Sequence, residues 1–490
     1  MTDRRTFLAS LGALGLAACT GGATPESAPS STGTTPTSSG APSTAAPATT
    51  QPPGLEPLTP APSDLTDASF DLGVASGDPT ESSIVLWTHA RTDEDAELVW
   101  EVATDDTFAT LVATGRVMAT PLVGDAAPTK AVAEGLSSEA TLWYRFRASD
   151  GTSPVGRTRT LPATQAAAER VRLAVSSCQS RATGAYAAHR DLAETEVDLV
   201  VWLGDYIYEN DTGGGLGVAS DLAGYVAHYQ AVKADPALQA AHAAHPWFIG
   251  TDDHEVVNDY DASVDPARRD AALRAWAAYQ PVAEAPRRWR SLRIGDLVDL
   301  ALLDTRSDAT AATVLGDDQW AWLEEHLTTS SARWQAVASP TIVAGLFDHR
   351  GDPLLGYGWD RTPTERARLA GLLERRDAFV VSGDLHTSMV LDVRADPLDP
   401  SAATVAPEFM APAISSAFPA DYAPLAPLLA IVNPQLRQID PTNGWMLVDV
   451  SRDEVVATHR FVTDVTDPAS AVVAGPTFAV TAGDTVPVER

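Results

Sequence analysis

Five short apolar runs, each followed by side chains that commonly bind metal ions, constrain the fold more than any other feature of this sequence. The runs are residues 173–175, 199–203, 247–249, 300–303 and 379–381. The side chains that follow them are Cys178, Asp205 with Tyr208, Asp252 with Asp253 and His254, Asp304 with Arg306, and Asp384 with His386. Ala-rich stretches of helical pattern, such as residues 271–280, separate the runs and indicate an α/β fold. Since α/β proteins bind ligands at the carboxyl ends of their strands, we expect these side chains to meet at one sheet edge.

The residue types at these strand ends predict a metal site. Carboxylates, an imidazole, a thiol and a phenol gathered in one place would repel one another or take up protons unless a cation lay among them. Asp205 and Tyr208 are three residues apart, a spacing that allows Asp205 to bridge two metal ions while Tyr208 binds one. Asp384 and His386 are two apart and point the same way, one toward each ion.

The chain of 490 residues is too long for a single core, and its patterning divides it into several parts. Short alternating strands at residues 83–87, 97–102 and 141–146 predict a small all-β domain of the immunoglobulin or fibronectin type at 66–165. The α/β pattern then occupies 166–465, and 466–490 form a C-terminal extension.

The first 65 residues are typical of an export signal and a tether. Arg4 and Arg5 precede an apolar run of only 12 residues, 7–18, which is too short to span a bilayer and matches a twin-arginine signal. The run ends at Cys19 in a lipobox-like sequence, so we expect cleavage and acylation there; an ordinary secretory leader is the alternative. Residues 20–65, rich in Ser, Thr, Pro and Ala, predict a flexible linker. The expected location is therefore a cell-surface or periplasmic lipoprotein, whose lipid anchor is its only membrane contact.

Net charge narrows the choice of partners. The chain carries 65 acidic against 34 basic residues, a formal charge of −31, which argues against a nucleic-acid partner and suits divalent cations. Its 2 cysteines exclude a disulfide framework. We expect a monomer.

Taken together, the strand-end motifs resemble those of the PhoD-type alkaline phosphatases and phosphodiesterases. The resemblance covers about residues 68–462 and rests on Ser-Cys-Gln at 177–179, Gly-Asp-Tyr-Ile-Tyr-Glu at 204–209, Asp-Asp-His-Glu-Val-x-Asn at 252–258, Leu-Asp-Thr-Arg at 303–306, Leu-Gly-x-x-Gln-x-x-Trp-Leu at 315–323 and Ser-Gly-Asp-x-His at 382–386. It implies a metallophosphoesterase core of two packed β-sheets flanked by helices, with an active site that holds iron and calcium.

The resemblance also implies which residues bind each ion. Those implied for Fe³⁺ are Cys178, Asp205, Tyr208 and His386; those implied for Ca²⁺ are the shared Asp205, Asp253, Asn258 and Asp384. The donor chemistry agrees, because thiolate, phenolate and imidazole suit iron, whereas Asp and Asn oxygens suit a hard ion. The adjacent Asp252 remains an alternative to Asp253. His254 is implied as a general acid or as a donor to the phosphoryl group.

The implied activity is hydrolysis of phosphodiesters, phosphomonoesters or both by a metal-activated hydroxide. Teichoic acid, phospholipid, nucleotide and simple monoester substrates all remain open. Arg306 is expected either to bind substrate or to form an internal ion pair with Asp304. The alternative function is a cell-surface binding lipoprotein whose metal site is structural or silent.

Overall fold

The computed structural model describes residues 67–149, 151–283, 287–399, 401–419, 426 and 428–490. The predicted export signal, Cys19 and nearly all of the linker lie outside the described residues. Within the described part, no helix is long and apolar enough to cross a membrane.

The described residues form a strand-rich chain in which helices are concentrated between residues 187 and 373. The first ten strands are Ser69–Gly77 (β1), Ser83–Arg91 (β2), Ala96–Ala103 (β3), Leu111–Ala119 (β4), Ala126–Glu134 (β5), Thr141–Arg147 (β6), Gly156–Arg159 (β7), Arg170–Ser176 (β8), Leu199–Trp202 (β9) and Pro246–Ile249 (β10). The later strands are Arg290–Ile294 (β11), Val298–Leu302 (β12), Trp334–Ser339 (β13), Ala378–Ser382 (β14), Ser388–Arg394 (β15), Thr404–Met410 (β16), Leu436–Asp440 (β17), Gly444–Ser451 (β18), Glu454–Val462 (β19), Val472–Thr481 (β20) and Val488–Glu489 (β21). The helices are Ala187–Glu194 (α1), Leu222–Lys233 (α2), Pro236–Ala244 (α3), Pro266–Tyr279 (α4), Gly316–Thr329 (α5), Gly358–Arg361 (α6), Pro363–Leu373 (α7) and Leu429–Val432 (α8).

Two large β-sheets pack face to face, with helices on their outer faces. One has the strand order β21-β20-β19-β18-β8-β9-β10-β1-β2-β5, and the other has the order β11-β12-β13-β14-β16-β15-β17. Alternate residues of the strands, including Val175, Val201, Leu302 and Val381, form the core between the sheets. Helices α1 to α4 cover the outer face of the first sheet, and α5 to α7 cover that of the second. The prediction of a two-sheet core flanked by helices is confirmed.

Asp-Pro pairs begin two of these helices. The Asp235 side chain accepts hydrogen bonds from the first turn of α3, and Asp265 does the same for α4; proline follows each of them. Because an aspartate cap satisfies free amide groups and proline has no amide hydrogen to lose, this pair strongly favours a helix start. The helical pattern at 271–280 covers only the later part of α4, because it does not include the Asp-Pro pair at 265–266 that begins this helix.

The N-terminal strands are continuous with the first large sheet. β1, β2 and β5 belong to that sheet, and they face a four-stranded sheet of order β4-β3-β6-β7 across an apolar core. β1 pairs in parallel with β10, and a Cβ at Gly77 would lie only 2.7 Å from the Trp247 carbonyl, so this junction requires glycine. An independent domain of the immunoglobulin or fibronectin type stays a prediction, since three of its strands extend the neighbouring sheet.

The C-terminal residues also extend this sheet. β20 pairs antiparallel with β19 along nearly its whole length, and its Phe478 and Val480 join the core between the two large sheets. Residues beyond 465 therefore contribute to the core that supports the strand ends.

Candidate metal centre

The polar strand ends come together between the two sheets. The loops after β8, β9 and β10 come from the first sheet, and those after β12 and β14 come from the second. Arg306, after β12, bonds both Asp252, after β10, and Asp384, after β14. The strand ends do converge, but across two facing sheets rather than along one edge of one sheet.

The backbone is left-handed at four of the predicted ligands. Positive φ angles occur at Cys178 (57°), Asp205 (56°), Asp384 (73°) and His386 (56°). Residues other than glycine rarely adopt this backbone conformation. Where several such residues do so together, they mark a site at which the fold maintains local strain. Each chain segment turns sharply as its strand ends, which aims the side chain into the space between the sheets.

A sulfur, nitrogen and oxygen donor set surrounds one oxygen of Asp205. Asp205 Oδ2 lies 3.5 Å from Cys178 Sγ and 3.1 Å from the Tyr208 hydroxyl, which is 2.9 Å from His386 Nε2. Burial raises the pKa of the Cys178 thiol well above its usual value, and the Asp205 carboxylate raises it further. A cation among these donors would reverse both effects by stabilising the thiolate. This set fits the residues that the resemblance implied for iron.

A second donor set consists of buried carboxylates. Ligand atoms of Asp205, Asp253 and His254 lie within 4.8 Å of one another, and so do those of Asp252, Asp253 and Asp384. Burial raises the pKa of Asp252 well above its ordinary value even though Arg306 opposes the shift. Carboxylates this close and this buried fit a divalent cation with oxygen ligands.

Asp252 and Asp253 have different surroundings. Asp252 is bonded by two nitrogens of Arg306, at 2.5 and 3.2 Å. Asp253 belongs to both groups of close donors and accepts a hydrogen bond from the Asp259 amide at 2.5 Å. The geometry therefore favours Asp253 as the ligand and gives Asp252 an ion-pair partner.

Arg306 braces the buried carboxylates. It is 2 % exposed, and its guanidinium lies 3.6 Å from Asp253 and 3.4 Å from Asp384. It does not line the cavity of about 450 Å³ that Tyr208, His254 and His386 border. Asp304 does not form an ion pair with Arg306: the Asp304 carboxylate pairs with Arg288 at 2.5 Å and accepts the backbone amides of Arg306 and Ser307. The arrangement supports an internal brace, while a contact of Arg306 with substrate stays a prediction.

Asn258 lies at the rim of the centre. Its side chain is exposed and lines the cavity, its amide nitrogen donates to Asp259 Oδ2 at 2.7 Å, and its backbone amide donates to Glu209. Asn258 thus lines the same cavity as Asp384 of the second donor set, and its side chain is hydrogen-bonded to Asp259.

His254 is held in one orientation by Glu209. Its Nδ1 lies 2.7 Å from Glu209 Oε2, its ring lies 4.1 Å from that of Tyr208, and its buried Nε2 has no hydrogen-bond partner among the described residues. Burial alone would lower the pKa of His254, but Asp205, Asp253 and Glu209 raise it to about 9. When the His254 imidazole is protonated, its Nε2, which Glu209 does not engage, can donate a proton or stabilise an anion in the adjacent cavity.

Comparison with known proteins supplies the family. The sequence model of the PhoD-like phosphatases matches residues 173–458, and that of their N-terminal domain matches 57–162. The chain belongs to the PhoD-like phosphatase family. It is therefore a phosphoester hydrolase, and the resemblance seen in its motifs is confirmed.

Individual relatives agree with this family. Alkaline phosphatase D of Bacillus subtilis (strain 168) is 30% identical over 463 residues, covering 82% of this chain and 79% of the relative. A solved structure of PhoD superposes with a TM-score of 0.79 at 28% identity, covering 86% of this chain and 92% of that one. A purple acid phosphatase, PPD1 from yellow lupin seeds, has a TM-score of 0.58 at 11% identity over 84% of this chain and 73% of its own, which shows a shared fold.

Three residues that shape the centre of this PhoD-like phosphatase were missed by sequence reasoning. Glu209 holds His254, and Glu255 accepts the amides of three residues, Asp205, Tyr206 and Asp252, at 3.0, 2.6 and 2.7 Å, which ties the loops after β9 and β10 together. The Tyr357 hydroxyl donates to Asp384 Oδ2 at 2.5 Å, and its ring lies 4.6 Å from the Arg306 guanidinium. Both glutamates lie inside quoted motifs, whereas Tyr357 lies in a loop that carries no strand-end signal.

Glu408 supports the loop that carries Asp384, and its burial makes stability depend on pH. It accepts hydrogen bonds from the Ser382 hydroxyl and from the amides of Val343 and Ala344, and burial raises its pKa from 4.5 to about 7. The folded state therefore holds this proton more tightly than the unfolded chain does. The stability that results is present below about pH 4.5 and is lost as the pH rises through about 7, by about 3 kcal/mol in all.

We therefore expect Glu408→Gln, which cannot ionise, to gain stability relative to the parent protein between pH 5 and 8. The measurement is the free energy of unfolding of both proteins in urea at several pH values. Parallel pH profiles would show that Glu408 does not titrate in this range.

Proposed function

We propose that this PhoD-like phosphatase is an exported, lipid-anchored enzyme that hydrolyses phosphodiesters, phosphomonoesters or both with Fe³⁺ and Ca²⁺ in the candidate metal centre. The observation that carries the proposal is the meeting of two unlike donor sets at the single carboxylate of Asp205. Family membership favours this enzyme over a binding lipoprotein with a silent metal site.

Each donor set suits one ion. Cys178, Asp205, Tyr208 and His386 would hold Fe³⁺, and Asp205, Asp253, Asn258 and Asp384 would hold Ca²⁺. When bound, the two ions would supply Lewis acidity, which makes water more acidic and offsets negative charge on the phosphoryl oxygens. The buried ion pair of Arg306 with Asp252 keeps the surrounding carboxylates in place.

The protein's own residues then manage the proton of the leaving alcohol. Glu209 keeps the proton on His254 Nδ1, so the second nitrogen carries the proton that is transferred when the imidazole is charged. Burial disfavours the charged form of His254, but the Glu209 carboxylate favours it, and the charged imidazole can protonate the leaving oxygen as the bond to phosphorus breaks. The adjacent Tyr208 ring restricts its rotation.

Hydrolysis of two chromogenic esters tests the proposal. Purified protein is incubated with bis(4-nitrophenyl) phosphate and with 4-nitrophenyl phosphate, before and after chelation and after return of Ca²⁺. We expect release of nitrophenol that chelation abolishes and that metal restores. The absence of metal-dependent release from both esters would refute the proposed activity.

A bond from Tyr208 to Fe³⁺ predicts colour. Phenolate-to-iron charge transfer absorbs visible light, so the purified protein should be coloured and Tyr208→Phe should lose most of that absorption. Tyr206→Phe is the matched control, because the Tyr206 hydroxyl bonds His242 rather than the centre. A colourless protein that contains zinc would contradict the iron assignment and leave the hydrolase intact.

The location is tested through the N-terminal sequence. Replacing Cys19 by serine should release the protein from membranes into the soluble fraction, and replacing Arg4 and Arg5 by lysine should block export. Recovery of Cys19→Ser protein in the membrane fraction would exclude the lipid anchor.

A further inference from the structure

The cavity in front of the candidate metal centre is larger than a phosphate group needs. Its volume is about 450 Å³, and Tyr208, His254, Asp384 and His386 form part of its lining. A cavity of this size accommodates an organic molecule as well as the reacting group. The lining residues other than the candidate metal ligands and His254 therefore indicate which alcohol groups of a phosphoester the cavity can bind.

Part of the cavity lining is apolar, and most of this part belongs to or packs against one core cluster. This apolar wall consists of Leu354, Leu355, Leu385, Ala417, Phe418 and Pro419. Leu354, Leu355 and Phe418 belong to the buried core beneath the second sheet and are only 5, 6 and 8% exposed. The wall is therefore the open edge of a packed core, and it exists in this shape without a ligand.

The charge of the cavity disfavours further anionic groups. Asp211 and Asp384 contribute to its lining, whereas none of the described lining residues is lysine or arginine. The chain as a whole carries a formal charge of −31. A second negative charge on the substrate would thus find no lysine or arginine in the described lining, while an uncharged apolar group would bury its surface against the wall.

We infer that the apolar wall is a binding subsite for an alkyl or aryl alcohol of a phosphodiester. This inference rests on the proposed function, and it names the substrate class of the same site: monoanionic phosphodiesters with at least one apolar alcohol. The rest of the lining includes the polar residues Ser180, Thr183 and Asn210, which suit the second alcohol or water.

Binding of two dialkyl phosphates, which carry the same charge and have poor leaving groups, tests the inference. Dimethyl phosphate and dibutyl phosphate are titrated into the metal-loaded protein by calorimetry, so the readout does not need turnover. We expect dibutyl phosphate to bind at least about tenfold more tightly, the discrimination typical of methylene groups in an apolar pocket. Equal affinities would overturn the inference.

Variants locate the effect. Leu355→Asn should reduce the preference to below about threefold, and Ala417→Asn, at an exposed position of the wall, should also reduce it if the first variant fails to fold. Leu398→Asn is the matched control, since Leu398 is 56% exposed and does not line the cavity. A preference that survives in Ala417→Asn and in folded Leu355→Asn would overturn the assignment to this wall.

The same preparation separates this inference from the proposed function. Hydrolysis of bis(4-nitrophenyl) phosphate is measured alongside the titrations. Hydrolysis without a dibutyl preference would refute the subsite alone, whereas a dibutyl preference without hydrolysis would refute the proposed function and, with it, the assignment of the bound diester as a substrate analogue.

Discussion

Asp205→Asn should abolish catalysis and metal binding while leaving the protein folded. Asp205 joins the two donor sets, with one oxygen near Cys178 and Tyr208 and the other accepting the His254 amide at 3.2 Å. Asparagine keeps the size of the side chain but removes the charge that both ions would share. Because such ions contribute several kcal/mol to the stabilisation of the transition state, we expect kcat/KM to fall by about 10³-fold or more.

The measurement is kcat/KM for bis(4-nitrophenyl) phosphate together with metal content per chain. Asp211→Asn is the matched control, because Asp211 is buried beside the same cavity but its carboxylate accepts only the nearby Gly213 amide among the contacts that the structure describes. We expect this control to keep both ions and most of the activity. If Asp205→Asn retained its metals and its rate, Asp205 could not be the bridging residue.

His254→Ala should cost about 10² to 10⁴ in rate, and the loss should depend on the leaving group. A general acid matters most when the departing alkoxide is unstable, so an alkyl diester should lose more than a nitrophenyl diester. Burial lowers the pKa of His254 but the Glu209 carboxylate raises it, so activity that requires the His254 proton should decline on the alkaline side of the pH profile. Both effects are measured from pH profiles of kcat/KM for an alkyl diester and for the nitrophenyl diester.

Glu209→Gln tests the charge of His254 while the histidine itself remains in place. This change removes the anionic partner of Nδ1 while keeping a hydrogen-bonding side chain, so the pKa of His254 should fall toward its usual range and the alkaline limb should move to lower pH. His326→Ala is the control histidine, because His326 pairs with Asp299 outside the cavity. An unchanged alkaline limb in Glu209→Gln would exclude His254 as the group that titrates.

The strand-end pattern predicted the meeting of Cys178, Asp205 and His386, but it could not predict how the strands are shared between sheets. The sequence of an apolar run such as residues 300–303 is the same whether the strand pairs within the sheet of β9 or lies in a second sheet packed against it. The runs therefore predicted one sheet edge, whereas the structure has the strand ends on two facing sheets. Family resemblance supplied the two-sheet arrangement. Continuation of the first sheet through β1 depends on pairing of Ser76 with Pro246 of β10, 170 residues further along the chain, and this pairing leaves no local signal.

The contacts behind the ligands were harder to predict than the ligands themselves. The sequence left open whether Arg306 pairs with Asp304 or binds substrate, and the turn after β12 directs its guanidinium to Asp252 on the other sheet. Tyr357 contacts Asp384 from a loop whose sequence has no motif that distinguishes it from an ordinary surface turn. Such partners are chosen by the packed geometry, whereas metal ligands can be recognised because their residue types are uncommon at strand ends.

Elemental analysis of natively exported protein tests the central claim most directly. The account predicts about one iron and one calcium per folded chain by mass spectrometry, since two donor sets share Asp205. Both ions should be lost in Asp205→Asn and retained in Asp211→Asn, and hydrolysis of bis(4-nitrophenyl) phosphate should follow the metal content. Active protein that contains neither ion, or whose metal content is unaffected by Asp205→Asn, would contradict it.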